Sequence, residues 1–178
     1  SEVEELRKEL ERIVKETKDV AEELSRESEE VLKKSEENLR RLTEKSDDVL
    51  RRVAELIRSN RDTDTVVTEA RDLLRRSDEH LEENLRRTDK ELRDSDEKLK
   101  RLEEEHRKLS EEIKRRLDER GGVKELKERI ERVNREVREE ARKHHDKNRD
   151  IRRRVTELHK RHKERNEEIR RKVEEDAK

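Results

Sequence analysis

The sequence predicts an all-α fold: an antiparallel up-down-up three-helix bundle of long, nearly straight, coiled-coil-like helices. Three observations lead there. Charged residues make up 59% of the 178 positions and apolar residues 24%, with no aromatic residue, Cys, Met or Pro. A chain built so largely of Glu, Lys, Arg and Leu reads as long helices. Its apolar residues recur at steps of three and four, the helical period, and only two short stretches interrupt that period. Low hydrophobicity alone would fit disorder, but disordered chains favour Pro, Gly and a large net charge. Here 52 basic residues nearly cancel 53 acidic ones, and there are only two glycines.

Helix 1, expected over about 2–59, carries Leu6, Leu10, Ile13, Leu24, Leu42, Val49 and Val53 on one seam. Val14, Leu32, Leu39, Leu50 and Ile57 widen its apolar stripe. The first joint, Ser59 to Asp64, is made of side chains that compete for backbone hydrogen bonds and so suit caps and turns. Asp62 to Asp64 offer the N-cap candidates for helix 2. That helix, expected over about 64–120, carries Val66, Ala70, Leu73, Leu81, Leu92, Leu99, Ile113 and Leu117. Gly121-Gly122 forms the second joint, since a Gly just after a helix takes the left-handed conformation without steric cost. Helix 3, about 123–177, carries Val123, Leu126, Ile130, Val133, Val137, Ala141, Ile151, Val155, Ile169 and Val173. Short joints make neighbours antiparallel, and residues 1–178 are expected to form a single bundle domain.

The joints also set a register. Facing residues should sum to about 123 across helices 1 and 2 and about 243 across helices 2 and 3. Polar residues that interrupt the seams then fall at shared heights. Ser28 faces Ser95 and Asn148; Ser46 faces Ser77 and Asn166; Asn38 faces Asn84, with His159 beside them. Ser35, Thr88, Thr17, His106, His144 and His162 complete the candidate buried polar network. These positions repeat every eighteen residues: Ser28 and Ser46, Ser77 and Ser95, His144 and His162, Asn148 and Asn166. Eighteen residues make five turns of an unsupercoiled helix, hence the expectation of straight helices.

An Asn or His in an apolar seam destabilises unless its donors and acceptors find partners. What it secures is register and partner choice, because a shifted helix would leave it unsatisfied. The competing reading, that Ser and Thr are merely small fillers, does not explain the paired Asn residues. Charge adds a second device. Residues 1–59 hold 18 acidic and 14 basic residues, 60–120 hold 20 and 17, and 121–178 hold 15 and 21. The third helix is thus basic and the other two acidic, which disfavours three copies of any one helix.

These features resemble a computationally designed helical bundle with buried hydrogen-bond networks. The resemblance rests on the aligned Ser, Asn and His layers, the cap-like Asp62-Thr63-Asp64, the Gly121-Gly122 link and the dense surface of Glu, Lys and Arg, and it covers the whole chain. The start at Ser1 fits a chain trimmed of an expression tag. What the resemblance implies is a structural scaffold with no biological substrate. A natural spectrin-like spacer shares the three-helix form, but such repeats normally hold aromatic core residues.

Other function classes fare poorly. The six histidines are expected as neutral members of the network; a pH-responsive bundle is the alternative, since burial lowers an imidazole pKa. A metal site from His159 and His162, with His80, has usable helical spacing but no demonstrated third ligand. Ser, His and Asp occur without a Gly-rich elbow or oxyanion loop, so no enzyme activity is expected. Helix 3 carries Arg149, Arg152, Arg153 and Arg154, yet acidic residues interleave and no aromatic is available to stack on bases, which argues against nucleic acid. No cofactor, membrane or small-molecule substrate is expected. Without Cys or any long apolar run, disulfides and membrane spans are excluded. The chain should be soluble, cytoplasmic when made recombinantly, and monomeric, with the wide stripe of helix 1 as the alternative route to self-association.

Overall fold

The computed structural model describes residues 2–59, 62–119 and 124–178. It contains three α-helices, α1 (Glu2–Arg58), α2 (Thr63–Glu119) and α3 (Lys124–Asp176). No strand occurs among the described residues. Asn60, Arg61, Gly121, Gly122 and Val123, expected in the joints and at the start of the third helix, lie outside the described residues.

The beginning of α2 is capped by Asp62. Its Oδ1 accepts the backbone N–H of Asp64 at 3.2 Å, and its Oδ2 accepts the Thr65 hydroxyl at 3.2 Å. The Asp62 carbonyl accepts the N–H of Val66, the first helical bond of α2. A carboxylate here satisfies one otherwise unpaired donor and meets the positive end of the helix dipole. Asp62→Ala is therefore expected to lower stability by about 1 kcal/mol, read as a shifted urea midpoint at unchanged slope.

The chain forms two compact units: Ser1–Glu29 with Glu91–Asp150, and Glu30–Lys90 with Ile151–Lys178. In the first unit, Leu6, Leu10, Ile13, Ile113, Leu117, Leu126 and Ile130 build one cluster, and Leu24, Leu99 and Ala141 a smaller one. In the second, Val49, Val53, Val66, Ala70, Leu74, Ile169 and Val173 pack together, and Leu39, Leu42 and Leu81 form a further cluster. Each cluster draws on two or three helices, the solution an amphipathic stripe requires.

Contacts inside each unit give the helix directions. Between α1 and α3 the sequence separation is constant: 118 for Glu11–Arg129 and Glu29–Lys147 in the first unit, and 118 for Glu36–Arg154 in the second. A constant difference means parallel helices. Between α1 and α2 the separation shrinks from 89 at Thr17–His106 in the first unit to 46 at Asn38–Asn84 and 31 at Ser46–Ser77 in the second, as antiparallel helices require. This is up-down-up.

One seam residue needs correcting. The sequence reading puts Leu73 on the seam, but Leu73 is 37% exposed and Leu74 is 1% exposed in its place. From Ala70 a step of three reaches Leu73 and a step of four reaches Leu74. Only the second keeps phase with Ser77 and Leu81, three and seven residues further on.

Candidate functional site

Regular helices bring the polar seam residues inward because they take the place of Leu or Val at the same helical period. Ser28, Ser35, Ser46, Ser77, Asn84, Thr88, Ser95, Thr17, His106, His144, Asn148, His159, His162 and Asn166 are all buried. Asn38 is half-buried.

The second unit holds a layer with one residue from each helix. The Ser46 hydroxyl donates to Asn166 Oδ1 at 2.8 Å and lies 3.3 Å from the Ser77 hydroxyl. Asn166 Nδ2 donates to Ser77 Oγ at 3.3 Å and to Asp78 Oδ1 at 2.9 Å. Asp78 is in turn paired with Arg170. Asn166 itself is 0% exposed, and its amide uses both its donor and its acceptor side.

The corresponding layer of the first unit is less complete. Asn148 Nδ2 reaches Asp96 Oδ1 at 2.8 Å, His144 Nε2 at 3.2 Å and Ser95 Oγ at 3.4 Å. Ser28 Oγ and Asn148 Oδ1 are buried without a hydrogen-bond partner. Ser28 is thus not joined by a hydrogen bond to Ser95 or Asn148, although its counterpart Ser46 bonds Asn166.

Two further groups hold most of the others, with Thr88 in neither. In the first unit, Thr17 Oγ1 donates to the Ile13 carbonyl at 2.9 Å and lies 2.8 Å from His106 Nδ1. In the second, Asn38 Nδ2 donates to Asn84 Oδ1 at 3.0 Å, and Asn84 Nδ2 donates to Ser35 Oγ at 3.2 Å and His159 Nε2 at 3.4 Å.

The hydrogen-bond partners assign a tautomer to three of the buried imidazoles, and burial favours their neutral form. His159 Nδ1 meets the Val155 carbonyl at 2.7 Å, so that nitrogen donates. Its Nε2 accepts from an amide NH₂, so the ring is neutral. His144 Nε2 likewise accepts from Asn148, which leaves Nδ1–H to donate to Ser25 Oγ at 3.0 Å. The single proton of the Thr43 hydroxyl goes to the Leu39 carbonyl, so His162 Nδ1, 3.0 Å away, is the donor in that pair. His162 Nε2 is buried without a partner. Burial holds the pKa of all three rings below the ordinary value. His145 is the opposite case. Burial alone would lower its pKa, but Asp96 and Glu103, each 2.9 Å from one ring nitrogen, outweigh it and raise it.

Sequence reasoning missed Ser25, Thr43, Asp78, Asp96 and the buried Ser110. Four of these had a signal: Ser25 and Thr43, like Asp78 and Asp96, are eighteen residues apart and accompany the repeated His and Asn. Eighteen-residue spacing also organises the surface. In the first unit Arg129–Glu11 at 2.9 Å and Lys147–Glu29 at 2.6 Å join α3 to α1, and in the second Arg165–Asp47 at 3.5 Å does the same. Basic α3 meets acidic α1 as the charge balance of the helices requires.

Among the described residues no group of three His, Asp or Glu side chains is placed to hold a metal ion, His159, His162 and His80 included. Nor is any described helix long and apolar enough to cross a membrane.

A solved structure described as a computationally designed three-helix bundle matches 98% of this chain and 86% of its own, with a TM-score of 0.62 at 17% identity. The fold is that of a three-helix bundle. No protein-family model matches this bundle, and no match is found among the curated proteins.

Proposed function

We propose that the chain is a designed structural scaffold rather than a catalyst, and that its buried polar layers specify which helix lies against which. The observation that carries this is the Ser46–Ser77–Asn166 layer, in which one side chain from each helix is hydrogen-bonded in the interior. An amide so placed adds little net stability over an apolar side chain. It penalises every register that leaves it unpaired. The α3-to-α1 ion pairs act in the same sense, each exposed pair contributing only about 0.2–1 kcal/mol.

The test is to replace the layer wholesale, as Ser46→Ala, Ser77→Ala and Asn166→Leu together. The expected result is stability equal to or above that of the parent, with loss of a unique state. The parent should elute as a monomer of 21.8 kDa, and the variant as a mixture of masses with broadened methyl NMR signals. A variant that stays a single sharp monomer would show that the layer specifies nothing.

The three neutral buried imidazoles support a second property, loss of stability in acid, whose sign is worked out in the Discussion.

A further inference from the structure

We infer that the outer groove between α1 and α2 in the second unit is a docking site for an acidic amphipathic helix. Two adjoining hollows of about 250 and 380 Å³ share Leu42, Lys45 and His80, and no residue of α3 lines either. Together they follow α1 from Asn38 to Arg52, about 21 Å at ~1.5 Å per residue, the reach of a four-turn helix. Leu42 and Val49 are buried in the floor beside Ser46 and Ser77, and Leu73 stands on the rim. Leu73 is the exposed large hydrophobic residue of the described chain. A furrow between two helices with apolar side chains in its floor and rim accepts the ridge of another helix.

Charge selects the occupant. Helices α1 and α2 belong to the two acidic segments, yet their shared groove here is basic. Arg41, Lys45 and Arg52 line it from α1 and make no ion pair among the described residues, while Asp48 is engaged by Arg51 outside the groove. From α2, Arg76 and Arg87 are held by Asp72 and Glu83. In the hollow between α1 and α3 of the first unit, Lys143 and Lys147 are paired with Glu140 and Glu29, and Arg26 alone makes no ion pair among the described residues. The hollow between α2 and α3 also holds cations without an ion pair among the described residues, Lys100 and Arg138, but no exposed large hydrophobic residue lines it. Three uncommitted cations beside an exposed Leu fit a helix that presents Leu on one stripe and Glu beside it.

The probe is a fluorescein-labelled peptide of three heptads with Leu at the two apolar positions and Glu at the flanking ones. It is compared with the same peptide carrying Lys for Glu, by anisotropy with the full chain at low salt. The acidic peptide should bind at least tenfold more tightly than the basic one, and added salt should weaken it. Arg41→Glu with Lys45→Glu and Arg52→Glu should abolish the preference, and Leu73→Asp should weaken binding at least tenfold. Arg26→Glu, on the hollow between α1 and α3, should change neither. All these side chains but Leu73 are exposed charged residues, so circular dichroism of their variants is expected to be unchanged. Equal affinity for the two peptides would overturn the proposal. So would binding that survives Leu73→Asp, or a doubled mass without peptide that Leu73→Asp abolishes, since a second copy would then be the occupant.

Discussion

Asn166→Ala should destabilise the chain by about 2–4 kcal/mol, the range expected when buried hydrogen-bonding groups lose their partner. Three contacts disappear at once: the Ser46 hydroxyl loses its acceptor at 2.8 Å, and Ser77 and Asp78 lose the amide donor. Ser46 and Ser77 keep each other at 3.3 Å, and Asp78 keeps Arg170, which limits the loss. Asn148→Ala should cost less, because Asn148 Oδ1 has no partner to lose. On the surface, Thr156→Ala, which removes an exposed hydroxyl bond to the Arg152 carbonyl, should stay within about 0.5 kcal/mol. Urea titrations of the three variants rank them directly. A loss below about 1 kcal/mol for Asn166→Ala would mean that the layer is a filler. The shape of the transition answers a second question. A single domain unfolds in one step whose midpoint moves as a whole, whereas independent units would show a second transition left in place by Asn166→Ala.

The fold was legible because it depends on period and composition alone. Steps of three and four place Leu10, Ile13, Leu99 and Ile169 in the core, and nothing in a helix-only chain competes with that signal. The turn chemistry was less so: Asp62, Thr63 and Asp64 are all capping residue types, and only geometry shows that Asp62 accepts the Asp64 N–H. For the layers, residue sums place Ser46, Ser77 and Asn166 at one height, where the three side chains are bonded. The same arithmetic places Ser28, Ser95 and Asn148 together, yet Ser28 bonds neither. Register fixes height along a helix to within a residue, about 1.5 Å, whereas a hydrogen bond requires donor and acceptor to meet within about 0.3 Å of an ideal distance. The acidic partners Asp78 and Asp96 were hidden for another reason. Their signal was the eighteen-residue spacing they share with Asn148 and Asn166, which is faint among so many surface carboxylates.

Acidification from pH 7.5 to pH 5.0 should lower the urea midpoint, and the sign follows from the hydrogen bonds. His144, His159 and His162 are neutral in the fold because each spends Nδ1–H on an acceptor and keeps Nε2 for a donor or leaves it bare. A second proton at Nε2 would face Asn148 Nδ2 in one case and Asn84 Nδ2 in another, donor against donor. Burial depresses these three pKa values, which Asp96 near His144 and Asp78 and Asp47 near His162 only partly offset. The unfolded chain therefore takes up protons first, near pH 6.5. The stability the rings contribute is complete above that pH and is lost as pH falls toward their folded values. His145 runs the other way: held between Asp96 and Glu103, it contributes stability below pH ~6.5 that is lost as pH rises through its raised pKa. Most ordinary carboxylate titration lies below pH 5.0, and replacing the imidazoles separates their contribution from it. Replacing His144, His159 and His162 together by Gln should flatten the decline, and His145→Gln should steepen it, because a ring that opposes the decline is gone. Equal midpoints at the two pH values in the His145→Gln variant, where the opposing ring is absent, would show that the three rings are not neutral in the folded state. A decline untouched by the triple replacement would place the titrating group elsewhere.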